Sequence, residues 1–574
     1  MKLKGTEMFV KSLVEEGVDT LFAYPGGYAI DIFDELYKQD KIDIILPRHE
    51  QALVHAADGY ARSTGRPGVC LVTSGPGATN LVTGIATANY DSVPLVCFTG
   101  QVPMHLIGND AFQEVDIIGI TRSICKYGVT VTDRNDLGRI IKEAFYIAAT
   151  GRPGPVVIDL PKDIMLALGS GEYPESVSIR GYKPSTLIHI GQLKKSLEFL
   201  DDAKKPLFLI GGGVNISGSK KEFTALVEKT KIPVATTIMG KGAIDSISPY
   251  YIGNIGMHGS YAANRAVSEC DVLYSIGTRF NDRITGKISE FAKNAKIVHI
   301  DIDPSSISRN ISVDIPIVAD AKNAINALLE YAGEYETTEW LKDIKSWKDS
   351  FPLATVEKEG LTPKKIIDKI NEMFKDPVVV TDVGQHQMWA SQFISMDGDT
   401  KFLTSGGLGT MGYGFPAAMG AKFGNPNKDV ICISGDGGMQ MNIQELATAV
   451  SYELPLILCI FNNSYLGMVR QWQQLFFSKR YSSTCIRRRK SCELRCEGPG
   501  NACPPYTPDF VALAEAYEAY GIRVSDPSEI ENAFNFAKSN KNAPTIIEFI
   551  IDMDEMVFPM VPGGNALSDM ILDI

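Results

Sequence analysis

The stretch VICISGDGGMQMNIQELATAV at 430–450, followed by LPLILCIFNNSYLGMV at 454–469, decides the fold. An apolar run ends in glycines, gives way to a helical pattern, and is followed by a second apolar run one βα unit later. Such runs alternating with helices mean parallel strands covered on both faces. Asp436 then stands at the end of one buried strand, and Asn462 and Asn463 at the end of the next. A carboxylate and an amide oxygen so placed can share one hard cation. Mg²⁺ suits them, because it takes few protein oxygens and completes its octahedron with phosphate oxygens and water. Gly435, Gly437 and Gly438 let backbone N–H groups approach a diphosphate, which the N-terminus of the following helix also favours. A GDG alone is a turn after a strand; the asparagine pair at this spacing is what points to chemistry.

The same alternation runs along the whole chain. DIILP, GVCLVTSGPG, PLVCFTG and PVVIDLP form one group, and PLFLIGGG, PVATTIMG, DVLYSIG and KIVHIDID a second. PVVVTDVG, DVICISGDGG, PLILCIFNN and PTIIEFII form a third. Polar stretches at 169–186 and 334–363 separate the groups. The expected fold is α/β, with three doubly wound parallel-sheet domains at 1–168, 187–333 and 362–560 and a tail at 561–574. A chain of 574 residues far exceeds the roughly 250 to 300 at which one core stops growing.

Hydrophobic residues at 44%, charged residues at 22% and 52 glycines fit an α/β enzyme and argue against a disordered or fibrous chain. A net charge of -12 argues against a nucleic-acid partner, which needs a basic face. The amino end turns straight into an amphipathic helix pattern, and no window reaches about 18 unbroken apolar residues. A cytoplasmic protein with no membrane contact is therefore expected. Cys70, Cys97, Cys125, Cys270, Cys432 and Cys459 lie in apolar segments and read as reduced, buried thiols.

The GDG and NN pair resembles the cofactor motif of thiamine diphosphate enzymes. Further stretches narrow the resemblance to the acetolactate (acetohydroxyacid) synthases. Among them are YPGG, LPRHEQ, TSGPGATN, TGQVPMHLIGNDAFQEVD, GRPGPVVIDLPKD, GMHGSYAAN, GTRFNDR, SGGLGTMGYGFPAA, NNSYLGMVRQWQQLFFSKRYS and FPMVPGG. The resemblance covers nearly the whole chain. It implies thiamine diphosphate held through Mg²⁺ by Asp436, Asn463 and the backbone carbonyl of Tyr465. Val383, Gly384, Gln385, His386, Gly409, Met411, Gly435, Gly437, Gly438 and Met468 would cradle the cofactor. Glu50, in RHE, would hydrogen-bond the aminopyrimidine, so its carboxyl must hold or share a proton; read alone, it would cap a surface helix. Gln113 and Lys162 would line the substrate channel. Arg283 would grip the second keto acid's carboxylate, a task suited to the guanidinium fork. Met468 and Trp472 would shape the acceptor pocket.

The implied reaction decarboxylates pyruvate and joins the two-carbon unit to pyruvate or 2-ketobutyrate, the first common step of branched-chain amino acid synthesis. The resemblance further implies FAD as a structural cofactor, contacted by Arg152, by His258 to Arg279 and by Asp301 to Asp320. RFNDR departs from the more usual RFDDR, so Asn281 removes a charge beside Arg283. A homodimer or larger assembly is implied, because the two ends of the cofactor are held by different subunits, and a small regulatory subunit accompanies biosynthetic members. A catabolic acetolactate synthase and a pyruvate oxidase are the alternatives. Glyoxylate carboligases usually carry an apolar residue where Glu50 stands. A catalytically dead scaffold would need to lose Glu50, Asp436 or Asn463, and all three are present.

One segment departs from the family. CIRRRKSCELRCEGPGNACPPYT, within an insert at 485–507, carries Cys485, Cys492, Cys496 and Cys503. Four thiols in so short a loop could bind Zn²⁺ or an iron–sulfur cluster, pair as disulfides, or stay reduced on the surface.

Overall fold

The computed structural model of the chain describes residues 2–184, 187–353, 359–493, 496, 503–504 and 508–573. Among these residues it contains three parallel sheets of six strands each and one antiparallel pair. In spatial order the first sheet is Asp43–Ile45, Thr20–Ala23, Gly68–Val72, Leu95–Gln101, Pro155–Pro161 and Tyr127–Thr130. The second is Tyr251–Asn254, Val234–Thr236, Pro206–Ile210, Val272–Ile276, Lys296–Asp301 and Ile315–Val318. The third is Lys401–Thr404, Val378–Thr381, Val430–Gly435, Leu456–Asn462, Thr545–Ile550 and Tyr520–Val524.

The inner strands are buried end to end, which is why they read as unbroken apolar runs. Each sheet has an apolar cluster on both faces, such as the one around Phe9 and Phe98 and the one around Val54 and Leu95 on the first. That pattern is the doubly wound architecture expected. Lys2–Lys4 pairs antiparallel with Leu168–Ser170. The stretch around 334–363, read as a polar connection, holds an amphipathic helix, Thr338–Ser350. Its Trp340 is 2% exposed and donates an indole N–H to the Pro206 carbonyl at 3.1 Å, which docks the helix on the second sheet. The tail folds back on the same unit, with the Val561 N–H donating to the Met257 carbonyl.

The first and third sheets are joined by the crossing of helices Glu50–Thr64 and Gly414–Gly424. Glycine makes the crossing possible. A Cβ on Gly420 would lie 1.7 Å from the Ala56 carbonyl oxygen, and one on Gly59 2.0 Å from that of Ala417. Beside the contact, Arg62, its side chain 11% exposed, bonds buried Asp58 at 2.7 Å and buried Asp91 at 2.8 Å, and the Tyr413 hydroxyl donates to Asp58 at 2.7 Å. Breaking a buried pair of this kind costs about 3 to 5 kcal/mol.

Gly420→Ala should therefore push the helices apart and destabilise the chain by about 3 kcal/mol or more. Gly333→Ala, where no atom lies within 4 Å, should leave the thermal midpoint unchanged. Equal midpoints for the two variants would contradict the close crossing.

Candidate active site and cofactor pockets

A pocket opens at the carboxyl ends of the third sheet's central strands, where open parallel sheets bind their ligands. Its wall contains Val383, Gly384, Gln385, His386, Met411, Gly435, Asp436, Gly437, Gly438, Asn463, Tyr465 and Met468. Twelve residues picked from scattered parts of the sequence thus meet around one cavity. Trp389, Phe461, Leu466, Gly467, Val469 and Ile551 complete the lining. Gly409 stands just behind Val383, at a left-handed φ of 71°.

Asp436 is 3% exposed; its Oδ1 accepts the Gly437 N–H at 3.1 Å, and its Oδ2 is buried with no partner. Burial pushes this carboxyl up to about 7. Asn463, at the end of the neighbouring strand, accepts the Tyr465 N–H at 3.0 Å and aims its Nδ2 at Gln385 Oε1, 3.4 Å away. A buried carboxylate oxygen lacking a donor, beside an amide oxygen, fits a hard cation. The glycines have steric reasons as well: a Cβ on Gly435 would meet His386 Nδ1 at 2.9 Å, and one on Gly437 would meet Leu466 at 2.9 Å. His386 is held neutral, because burial pushes its ring down to about 3, and its Nε2 has no partner.

Three carboxylates organise this region without touching the cavity, and the sequence reading passed over all three. Asp382 accepts the N–H groups of Val383 at 2.8 Å, Gly412 at 3.0 Å and Gly414 at 2.9 Å, so one buried side chain fixes two of the loops. Glu445 accepts the Arg48 N–H at 3.0 Å and reaches the turn that leads to Glu50. Glu548 accepts from Asn462 at 2.7 Å. Their signal was a lone carboxylate in or beside an apolar run, since such groups are almost never buried unless paired.

Glu50 does not line the pocket. It begins the helix Glu50–Thr64 in the first sheet's unit, and its Oε2 accepts from Asn80 Nδ2 at 2.9 Å. Its Oε1 lies 3.6 Å from where a Cβ on Gly77 would stand, so glycine keeps that oxygen open. The same loop carries Gly75, against which Gln113 packs in a left-handed conformation. Lys162 Nζ lies nearby in the fold, donating to the Gly27 carbonyl at 3.2 Å and pairing with Asp31 at 3.2 Å. Arg283 sits on the short helix Asp282–Thr285, 55% exposed, with Met257 Sδ 3.8 Å from its Nη1. Trp472 lies on the helix Gly467–Phe476, outside the pocket lining, with its indole N–H buried and unpartnered.

A second cavity, about 520 Å³, lies between the first and second units and is lined by Arg152, Lys126, Tyr182, Ile302, Asp303 and Val318, among others. Arg152 spans Ser92, the Asn89 carbonyl and Asp303. Arg279 donates to the Tyr90 carbonyl, and burial holds its guanidinium below the usual range. Asp301, at a strand's carboxyl end, is pushed up to about 6 by burial. The buried His258 Nε2 has no partner. Arg152, Arg279 and Asp301 fit a polar dinucleotide laid across strand ends. Asp320 does a local job instead, capping the helix Ala321–Tyr331 through the Asn323 N–H.

The insert and the residue before it are tied to the asparagine loop: Leu466 N–H donates to the Thr484 carbonyl at 2.8 Å and Ile486 N–H to that of Ser464 at 3.1 Å. Cys485, Cys492 and Cys503 are free thiols. Among the described residues, no group of three or more His, Cys, Asp or Glu is placed to hold a metal ion. Residues 494–495, 497–502 and 505–507 of the insert lie outside the described residues.

Fold and site together define a thiamine pyrophosphate enzyme. Residues 3–120 match the N-terminal TPP-binding domain of that family, 193–328 its central domain and 382–549 its C-terminal TPP-binding domain. The acetolactate synthase isozyme 3 large subunit of Escherichia coli is 43% identical over 99% of this chain and 98% of its own length. The acetolactate synthase large subunit of Haemophilus influenzae is 44% identical over 100% and 98%. A probable acetolactate synthase large subunit of Methanocaldococcus jannaschii is 45% identical over 100% and 96%. The chain belongs to the acetolactate synthase large-subunit family.

Asp382→Ala would leave the N–H groups of Val383, Gly412 and Gly414 buried without an acceptor, at about 1 to 3 kcal/mol for each. The expected outcome is a lower urea midpoint together with at least tenfold weaker thiamine diphosphate binding. Unchanged binding in a folded variant would show that Asp382 does not shape the pocket.

Proposed function

We propose that this chain is the catalytic subunit of an acetolactate synthase, converting pyruvate with a second pyruvate or with 2-ketobutyrate into a 2-acetohydroxy acid. The observation that carries this reading is the unpartnered, buried Oδ2 of Asp436 in a glycine-walled pocket. Asp436, Asn463 and the Tyr465 carbonyl would hold Mg²⁺, with the Gly435 to Gly438 turn facing the diphosphate. Bound thiamine diphosphate supplies a thiazolium that takes up the electron pair released by decarboxylation.

The chain's own groups do the rest. Glu50 Oε1 would hydrogen-bond the aminopyrimidine, while Asn80 fixes the other oxygen. Trp389, Phe461 and Met468 keep the cavity apolar. Arg283, exposed on its helix, offers a fork for a carboxylate. Arg152, Arg279, Asp301 and His258 would hold FAD as a structural group.

Glu50 and the Asp436 pocket lie apart in one chain, so the reading includes a dimer in which each chain completes the other's site. Exposed apolar side chains next to both half-sites support it: Ile30 and Phe112 beside the Glu50 region, and Leu408, Met441 and Val469 around the pocket. The relatives' description as large subunits supports a small regulatory partner. Among the described residues no helix is long and apolar enough to cross a membrane, and a cytoplasmic site of action fits this chemistry.

Purified chain given pyruvate, thiamine diphosphate and Mg²⁺ should accumulate acetolactate without an electron acceptor. Acetyl phosphate and acceptor-dependent turnover would favour a pyruvate oxidase instead. Glu50→Gln should lower kcat by roughly 10²- to 10⁴-fold with cofactor binding retained. Turnover near that of the unaltered chain would remove Glu50 from the mechanism.

A further inference from the structure

Glu548 is a carboxylate flanked by Ile546, Ile547, Phe549 and Ile550 in the strand Thr545–Ile550, and is fully buried. The strand runs between Leu456–Asn462 and Tyr520–Val524, and the register places Ile460 on one side of Glu548 and Arg523 on the other. Side chains alternate along a strand, so Asn462, two residues beyond Ile460, lies on the same face. Its Nδ2 donates to Glu548 Oε1 at 2.7 Å, and Arg523 Nε donates to Oε2 at 2.8 Å. Both carboxylate oxygens are engaged.

The contact fixes how the asparagine side chain is turned. With Nδ2 on Glu548, the Oδ1 of Asn462 faces forward and accepts the Ser464 N–H at 3.0 Å. Ser464 is held at a φ of +64°, a left-handed conformation that costs a non-glycine residue about 1 kcal/mol or more. That kink lies between Asn463 and Tyr465, both of which line the Asp436 pocket.

A second role, that Glu548 serves only to neutralise Arg523, fits poorly. Arg523 is partly exposed and already bonds Asp509 at 2.6 Å. A strand-centre position shielded from water is served as well or better by an apolar side chain when charge is all that is at stake.

We infer that Glu548 is a positioning residue for the asparagine loop, turning Asn462 so that residues 463–465 keep the shape that binds Mg²⁺ and the diphosphate. This rests on the proposed reading of the Asp436 pocket. It assigns a role to a side chain that touches neither cofactor nor substrate.

The test is a binding titration rather than turnover: Mg²⁺-dependent quenching of protein fluorescence by thiamine diphosphate in the full chain. Glu548→Ala should raise the Mg²⁺ needed for half-saturation at least tenfold. Glu548→Gln keeps an oxygen that can accept from Asn462 while losing the charge facing Arg523, so it should recover most of the affinity. Asp436→Ala, in the same titration, should not bind the cofactor. If Asp436→Ala binds normally, the pocket reading fails and this inference with it. If Asp436→Ala fails to bind while Glu548→Ala stays within twofold of the unaltered chain, only the inference is overturned. A Gln variant as weak as the Ala variant also overturns it, because charge would then be what matters. Should Glu548→Ala not fold, Asn462→Ala decides the matter: a tenfold loss supports the inference, and an effect within twofold overturns it.

Discussion

The structure depends on the crossing of the helices at 50–64 and 414–424, where glycine lets backbone meet backbone. Gly59 lies on the Ala417 carbonyl and Gly420 on that of Ala56, so neither position has room for a methyl group. Arg62 and the buried Asp58, Asp91 and Tyr413 lock the contact, and Asp91 also accepts the Gly406 and Gly407 N–H groups of the third unit. This arrangement settles how the first and third sheets share one chain. It also leaves the Glu50 carboxylate facing Asn80 and Gly77, outside the pocket of Asp436.

The pocket itself is built from buried polar groups whose partners lie behind the wall. Asp382 gathers two loops, and Gln385 is held by Gln471 and the Glu555 carbonyl. Gln471 in turn bonds Val557, which ties the segment after the last strand to the same wall. Such fully used networks hold a site in one geometry, because every loosened bond would leave a group unpaired in a low-dielectric interior. Among the described residues, the buried side-chain atoms of this wall left without partners are Asp436 Oδ2 and His386 Nε2. They are where the pocket can gain most from a bound ion and a bound polar ligand.

The fold was legible because buried parallel strands are apolar throughout, and twelve of the strands announced themselves that way. Those passed over were mostly sheet edges: Tyr127–Thr130, Tyr251–Asn254, Ile315–Val318, Lys401–Thr404 and Tyr520–Val524. Edge strands are short and half-exposed, so their composition is mixed; Tyr127–Thr130 has no fully buried residue. The pocket residues were legible through the GDG and NN pair and the family frame. Asp382, Glu445 and Glu548 were not, because their function lies in hydrogen bonds to backbone and amide groups that only the folded chain brings near. Trp340 was hidden for a related reason: its helix carries enough charge to read as a connection.

In the proposed dimer, Glu50 of one chain works with the Asp436 pocket of the other. Mixing two inactive variants, Glu50→Gln and Asp436→Ala, after partial dissociation and reassembly tests it directly. If the site is shared, half of the dimers from an equal mixture are mixed and each has one intact site, so acetolactate formation should return to about a quarter of that of the unaltered enzyme. A mixture as inactive as its components, with exchange between chains confirmed by mass, would contradict the account.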